Sequence, residues 1–348
     1  MSSNQGIVAS VFPPGERGRA MGLVGSAVAI GAMVGPPLGG ILVGAFAWPS
    51  IFLINVPIAA VAFAAGVYMV PKDEAAPRRE AARFDVLGSA VFALSIVTLF
   101  AALLGSVDIG WDSPFILAGV AAGLGGLALF AKIERGREHP MLDLSCFGDR
   151  LFTVSIICAG LSFAALFCMT IIHPFYLQYA LGLQPATAGL LILAIPVGQG
   201  LVAPLSGYAS DRLGAKPITI VGLVVMCAGF VLMSTLGTGT PWLLIVAWTV
   251  LVSVGASIFQ SPNTSIIMGL SSRERLGITG SINAEARNIG MVTGISLSVA
   301  ILYARMGAVA GYRVSSYVDG RPDIFLDGMR VVYLGAAGIC LVGVALTA

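Results

Sequence analysis

Ten stretches of about 20 apolar and small residues constrain this chain more than anything else in it. They run at roughly 20–45, 50–70, 85–106, 114–132, 151–177, 187–208, 217–236, 241–262, 287–304 and 330–348. Each reaches the ~20 residues that an α-helix needs to cross the hydrocarbon of a bilayer. No water is available there for backbone N–H and C=O groups, so each run must close its hydrogen bonds within itself. Only 10% of the 348 residues are charged, and the mean hydropathy is +0.94; a soluble domain carries about 25% charged residues. The fold class implied is all-α, a polytopic transmembrane helical bundle of about ten helices. Residues 1–15 lack the basic start, apolar core and small-residue cleavage site of a secretory leader. The first helix is therefore expected to act as its own insertion signal.

Charge placement sets the expected topology. With residue 1 in the cytoplasm, 15 of the 19 Lys and Arg fall on the inner side, and Arg305, Arg313, Arg321 and Arg330 on the outer. The positive-inside rule then puts both termini in the cytoplasm of a plasma (inner) membrane protein. Trp48, Trp111 and Trp242 fall at outer helix ends, as an aromatic belt requires. Acidic residues also sit in loops or at helix ends on this reading, so no ionisable group is expected deep in a helix. Such groups are the usual proton and ion carriers. The cysteines at 146, 158, 168, 227 and 340 form no CxxC pair and read as apolar packing residues, so neither metal nor cofactor is expected. There is no His-x-x-x-His and no phosphate loop, and acids interrupt the basic loops, as in Lys72-Asp73-Glu74. Enzyme chemistry and nucleic-acid binding have no support here.

The first apolar stretch holds a ladder: Gly22, Gly31, Gly35, Pro36, Gly39 and Gly40. Glycines four residues apart leave a helix face bare, so a neighbouring backbone can approach closely. Pro36 and Pro37 lack N–H groups and predict a kink. The ladder fits a sealing and hinge surface between two bundles, and it also fits an ordinary close helix crossing.

The ladder resembles the antiporter motif in the fifth helix of exporters of the major facilitator superfamily. Phe12-Pro13-Pro14-Gly15-Glu16-Arg17-Gly18-Arg19 looks like the lead into that helix, and Phe52-Leu53-Ile54-Asn55-Val56-Pro57 like the opening of the sixth. Gly207-Tyr208-Ala209-Ser210-Asp211-Arg212-Leu213-Gly214-Ala215-Lys216 resembles the superfamily's cytoplasmic loop signature, with Ala215 where a basic residue is usual. Arg287-Asn288-Ile289-Gly290 and Gly294 resemble the penultimate helix of the C-terminal bundle. Two extra helices between the halves point to the fourteen-helix drug–proton antiporters. The resemblance implies that the first four helices are absent. Residues 1–70 are then the remnant of an N-terminal bundle, 71–149 a central pair with its cytoplasmic loops, and 150–348 a six-helix C-terminal bundle. It also implies proton-coupled export of small lipophilic or cationic compounds by alternating access, with the lipid bilayer as surroundings. Substrate identity and any periplasmic adaptor are not specified by these residues.

Other residues carry paired readings. Asp211 and Arg212, expected in a short loop, would form a cytoplasmic latch: Asp211 at a helix N-terminus and Arg212 on carbonyls or an acid across the interface, with Gly207, Gly214 and Lys216 around them. Otherwise they form a basic loop obeying the positive-inside rule. Gln199, between Pro196 and Pro204, could line a substrate cavity or make an interhelical hydrogen bond. His173, before Pro174, is expected at the outer interface, as a proton-handling group or as a belt residue. Gln260, Asn263 and Asn55 read as helix-end caps. Arg287 opens the next helix, either tying inner ends together or adding one more inner charge. With no embedded carboxylate, the chain alone is expected not to couple protons. The alternative is a truncated, non-transporting protein that packs with a full-length copy or a partner subunit.

Overall fold

The computed structural model describes residues 7–8, 11–13, 16–46, 49–69, 85–110, 113–136, 147–271, 275–312, 314, 316–318 and 320–348. Lys72, Arg78, Arg79, Arg83, Arg137, Cys146, Arg273, Arg313, Trp48 and Trp111 lie outside them. Helix α1 spans Arg17–Phe46. A short turn, Ser50–Leu53, leads into α2, Asn55–Met69. Helices α3 (Val86–Ile109) and α4 (Pro114–Arg135) form an adjacent pair. Then come α5 (Arg150–Phe175), prolonged by a π turn at Tyr176–Ala180, α6 (Pro185–Ile192) and α7 (Ala194–Leu213). Helices α8 (Ala215–Met233), α9 (Trp242–Gly269), α10 (Leu276–Ala310) and α11 (Pro322–Thr347) complete the chain. Among the described residues no strand occurs, and nine helical stretches are long and apolar enough to cross a membrane; α2 is a shorter apolar helix. The outer surface is correspondingly apolar. Phe115, 84% exposed, has no place to go but lipid.

Small residues decide which helices meet. At the α5–α10 crossing a Cβ on Gly290 would strike the Gly160 carbonyl, and one on Gly294 the Ala164 carbonyl. At the α8–α9 crossing, Gly222 faces the backbone of Phe259, and Gly255 that of Met226. Close backbone approach maximises dispersion where lipid supplies no hydrophobic drive between helices. Around these crossings a core of Met169, Ile172, Tyr176, Met226, Phe230, Val252 and Tyr333 is fully buried. Two helix starts use side-chain caps: Asp85 accepts from Gly88 N at 2.9 Å, and Asp149 from Leu151 N and Phe152 N at 2.7 and 3.1 Å.

Four helix boundaries correct the expectations from sequence. The stretch expected as one helix over 187–208 breaks at Leu193. Pro196 has no N–H to return to Ile192, so the ladder of bonds is interrupted there. The second piece then runs on to Leu213, so Asp211 and Arg212 are the last turn of a helix and not a loop. Helix α9 passes through Pro262 and stops at Gly269. Asn263 is therefore interior; its Nδ2 donates to the Ser155 carbonyl of α5 at 3.0 Å, which replaces the expected helix-end cap. Helix α10 begins at Leu276, 11 residues before the expected start. Arg287 does not open this helix. Glu285 and Arg287 lie in its third and fourth turns.

Candidate functional site

The first turn of α1 and the last turns of α7 are antiparallel and interlocked. Asp211 Oδ1 accepts from Gly18 N at 3.0 Å, and Oδ2 accepts from Arg19 N at 3.0 Å. Backbone N–H groups at a helix start have no intrahelical partner, and they lie at the positive end of the helix dipole. A carboxylate held there by two bonds satisfies both needs. The glycines make this approach feasible. A Cβ on Gly18 would sit 2.5 Å from Asp211 Oδ1, and one on Gly207 would overlap the Gly18 carbonyl. One turn further, a Cβ on Gly22 would overlap the Ala203 carbonyl. Ser26 Oγ donates to Gly200 O at 2.8 Å, and Ser261 of α9 donates to Gly18 O at 3.0 Å. The seam therefore runs about two turns, from Gly18–Gly207 to Ser26–Gly200.

Beyond it the ladder opens out. Gly31 and Gly35 have nothing within 4 Å of a built Cβ. The register that pairs 18 with 207 and 22 with 203 brings residue 31 level with Ala194, where α7 begins. Pro36, Gly39 and Gly40 continue α1 without a break, but their side-chain surroundings lie outside the described residues.

Asp211 sits at the start of a helix, as the latch reading requires, but that helix is α1 and not the next one in sequence. Arg212 departs from the latch reading. Its guanidinium lies 4.4 Å above the Tyr208 ring on its own helix. Gly214, at φ 89°, ends α7 and turns the chain into α8. Lys216 Nζ donates to Ala348 O at 3.1 Å. Gln199 is half-buried, and its backbone carbonyl, not its amide group, takes the Ser257 hydroxyl at 3.2 Å.

His173 does not face the lipid as a belt residue would. It is 1% exposed, with Nε2 3.2 Å from Thr249 Oγ1. It packs between Thr249 of α9 and Tyr176, the first residue of the π turn after Pro174. Thr249→Val should leave both ring nitrogens unsatisfied and cost about 1 kcal/mol, read as an earlier thermal transition in detergent. His173→Leu, which removes the polar ring altogether, should cost less than a mismatch left in place.

Arg287, 5.1 Å from the Phe163 ring, ties α10 to α5. A desolvated cation–π contact of this kind contributes about 2 kcal/mol. Arg287→Met keeps the stem and loses the cation. It should lower the melting temperature, whereas Arg287→Lys should recover part of the loss.

The sequence profile of the Major Facilitator Superfamily matches residues 1–95 and 154–348. This chain belongs to that superfamily. It is a multi-pass membrane protein of a transporter family, not of an enzyme family. The riboflavin transporter RibZ of Clostridioides difficile is 31% identical over 347 residues, covering 100% of this chain and 73% of that one. The multidrug resistance protein Stp of Mycobacterium tuberculosis is 30% identical, covering 87% of this chain and 56% of its own length. The multidrug transporter MdtP of Bacillus subtilis is 26% identical, covering 91% and 58%. The chain thus spans little more than half of these multidrug relatives. A bacterial homologue of the iron transporter ferroportin, in an outward-facing state with soaked iron, aligns over 99% of this chain and 85% of that one at TM-score 0.40 and 14% identity.

Proposed function

We propose that this chain serves proton-coupled export of small lipophilic or cationic compounds by alternating access, in a plasma membrane with both termini cytoplasmic. The observation that carries the reading is the seam of Asp211 on the α1 N-terminus, with Gly18 and Gly22 against α7. A contact with two discrete conditions, seated and parted, is what a gate between an N-terminal part (1–70) and a C-terminal bundle (150–348) needs. The central pair, 71–149, supports descent from fourteen-helix exporters. The multidrug names of two relatives support lipophilic substrates, and the riboflavin transporter sets a competing substrate class.

The earlier objection to coupling rested on the lack of any embedded carboxylate. We take Glu285, in the third turn of α10, as the carboxylate that answers it. The test is flux of a fluorescent lipophilic cation from proteoliposomes under an imposed proton gradient. Gradient-dependent flux that collapses with an uncoupler is expected. Flux absent in sealed, oriented vesicles would favour the second reading, a chain that acts only when packed against a full-length copy or partner subunit. The open Gly31 and Gly35 face of α1 is the observation in favour of that reading.

A further inference from the structure

Four helix ends converge on a polar recess that the α1–α7 seam does not use. The starts of α5 and α8, the last turns of α9 and the end of α11 surround a cavity of about 300 Å³. Arg150, the first residue of α5, and Lys216, the second of α8, both line it. Among the described residues no Asp or Glu does. Asp149, beside Arg150, spends its carboxylate on Leu151 N and Phe152 N. Lys216 gives one N–H to Ala348 O at 3.1 Å and keeps two. The Arg150 guanidinium has no acid or carbonyl partner among the described residues.

Three further lining side chains, Ser155, Thr219 and Asn263, are each more than nine-tenths buried. Two of them are engaged: Thr219 Oγ1 donates to Lys216 O at 2.7 Å, and Asn263 Nδ2 donates to Ser155 O at 3.0 Å. The third is not. The Ser155 hydroxyl, on a residue 4% exposed, has no partner among the described residues. A buried hydroxyl left unmet is costly, and so is a cavity lined by cations without an anion. One ligand answers both needs if it is an oxyanion. Phosphate suits better than carboxylate, because its oxygens point in several directions and the free donors come from α5 and α8. Arg150 can meet two of those oxygens with its planar fork. The volume is that of a small ligand site, and Leu151 and Leu346 give it an apolar rim for the organic part of an ester.

We propose that this recess binds a phosphate group, with Arg150 as its anchor and Lys216 and Ser155 as further donors. A phospholipid headgroup and a soluble phosphate both carry this chemistry. Binding here is independent of export and is measured at equilibrium without a gradient.

The probes are dioctanoyl phosphatidylglycerol and inorganic phosphate, titrated by calorimetry against the purified full chain in maltoside micelles. Dioctanoylglycerol, with the same chains and no phosphate, is the control and should not bind. Phosphatidylglycerol binding without inorganic phosphate binding assigns the recess to a lipid headgroup; inorganic phosphate binding as tightly assigns it to soluble phosphates. For whichever probe binds, Arg150→Gln should weaken it at least about 10-fold. Arg150→Lys, which keeps the charge without the fork, should fall between. Ser155→Ala removes the hydroxyl and keeps the carbonyl that Asn263 uses, and it should weaken the probe about 3-fold. Lys132→Gln removes a cation from the last turn of α4, outside the recess, and should change affinity less than about 2-fold. No binding of either phosphate probe overturns the proposal, as does dioctanoylglycerol binding as well as phosphatidylglycerol. Equal losses in Arg150→Gln and Lys132→Gln would mean attraction to surface charge in general, and full affinity in Ser155→Ala would mean that the probe does not enter the recess; either overturns it.

Discussion

Gly207→Ala should lower the melting temperature of this protein by about 5–10 °C, while Gly31→Ala should leave it unchanged or raise it slightly. Both residues belong to glycine-rich helix faces, so composition does not separate them. Surroundings do. The new Cβ at 207 lands on the carbonyl and backbone of Gly18, and a Cβ has no rotamer by which to leave. Overpacking costs about 1–3 kcal/mol when side chains can yield, and more when only backbone faces the intruder. Each kcal/mol moves the midpoint of a domain this size by about 2–4 °C. At Gly31 the built Cβ meets nothing within 4 Å, and alanine in a helix is favoured over glycine by about 0.5–1 kcal/mol. Fluorescence-detected size exclusion after a heating series reads both. Equal midpoints would mean that the α1–α7 crossing contributes little to holding the protein together.

Asp211→Ala should part the seam without unfolding the bundle. It deprives two first-turn N–H groups of their acceptors and removes the anion from the positive end of α1. Hydrogen bonds to charged groups contribute about 1.5–3 kcal/mol, and a charge at a helix terminus about 0.3–1 kcal/mol. Water entering the opened seam recovers a share, so about 2 kcal/mol is a fair net. That is roughly 30-fold in the ratio of seated to parted states. Ser261, buried and bonded to Gly18 O, is the reporter. With Ser261→Cys as the only thiol, labelling by a membrane-impermeant maleimide should accelerate more than about 10-fold in Asp211→Ala. Asp211→Asn, which retains one acceptor but no charge, should fall between. An unchanged labelling rate would show that the carboxylate does not hold the seam.

What could be seen in the sequence was what repeats locally. Twenty-residue apolar runs announce helices because hydrocarbon leaves the backbone no other arrangement, and the small-residue faces at Gly22 and Gly290 announce close crossings. What could not be seen depends on a partner remote in sequence. Asp211 was recognised as a helix-end acid, but its partner is 193 residues away, and adjacency in sequence suggested the wrong helix. The first turns of α10, Leu276-Gly277-Ile278-Thr279-Gly280-Ser281, contain too many glycines and hydroxyls to read as a membrane helix. They are helical because α5 and the central pair pack against them. That missing stretch concealed Glu285 and Arg287. The belt reading of His173 missed its burial for a related reason: counting residues from Arg150 gives height along a helix, not which way the side chain faces.

The π turn and proline that follow His173 show how a short irregularity can matter at a distance, and the α1–α7 crossing has a similar reach. Each bare glycine there receives a carbonyl from the opposite helix, and Asp211 meets two adjacent N–H groups at once. Displacing one helix along the other by a single residue would drive Arg19 or Met21 into the places now held by Gly18 and Gly22. Translation along the axis is therefore closed to this pair. What remains is separation by tilting, beginning at the Asp211 end and using the unobstructed stretch near Gly31 as clearance, so the two helices engage or disengage as a unit with no stable half-step between.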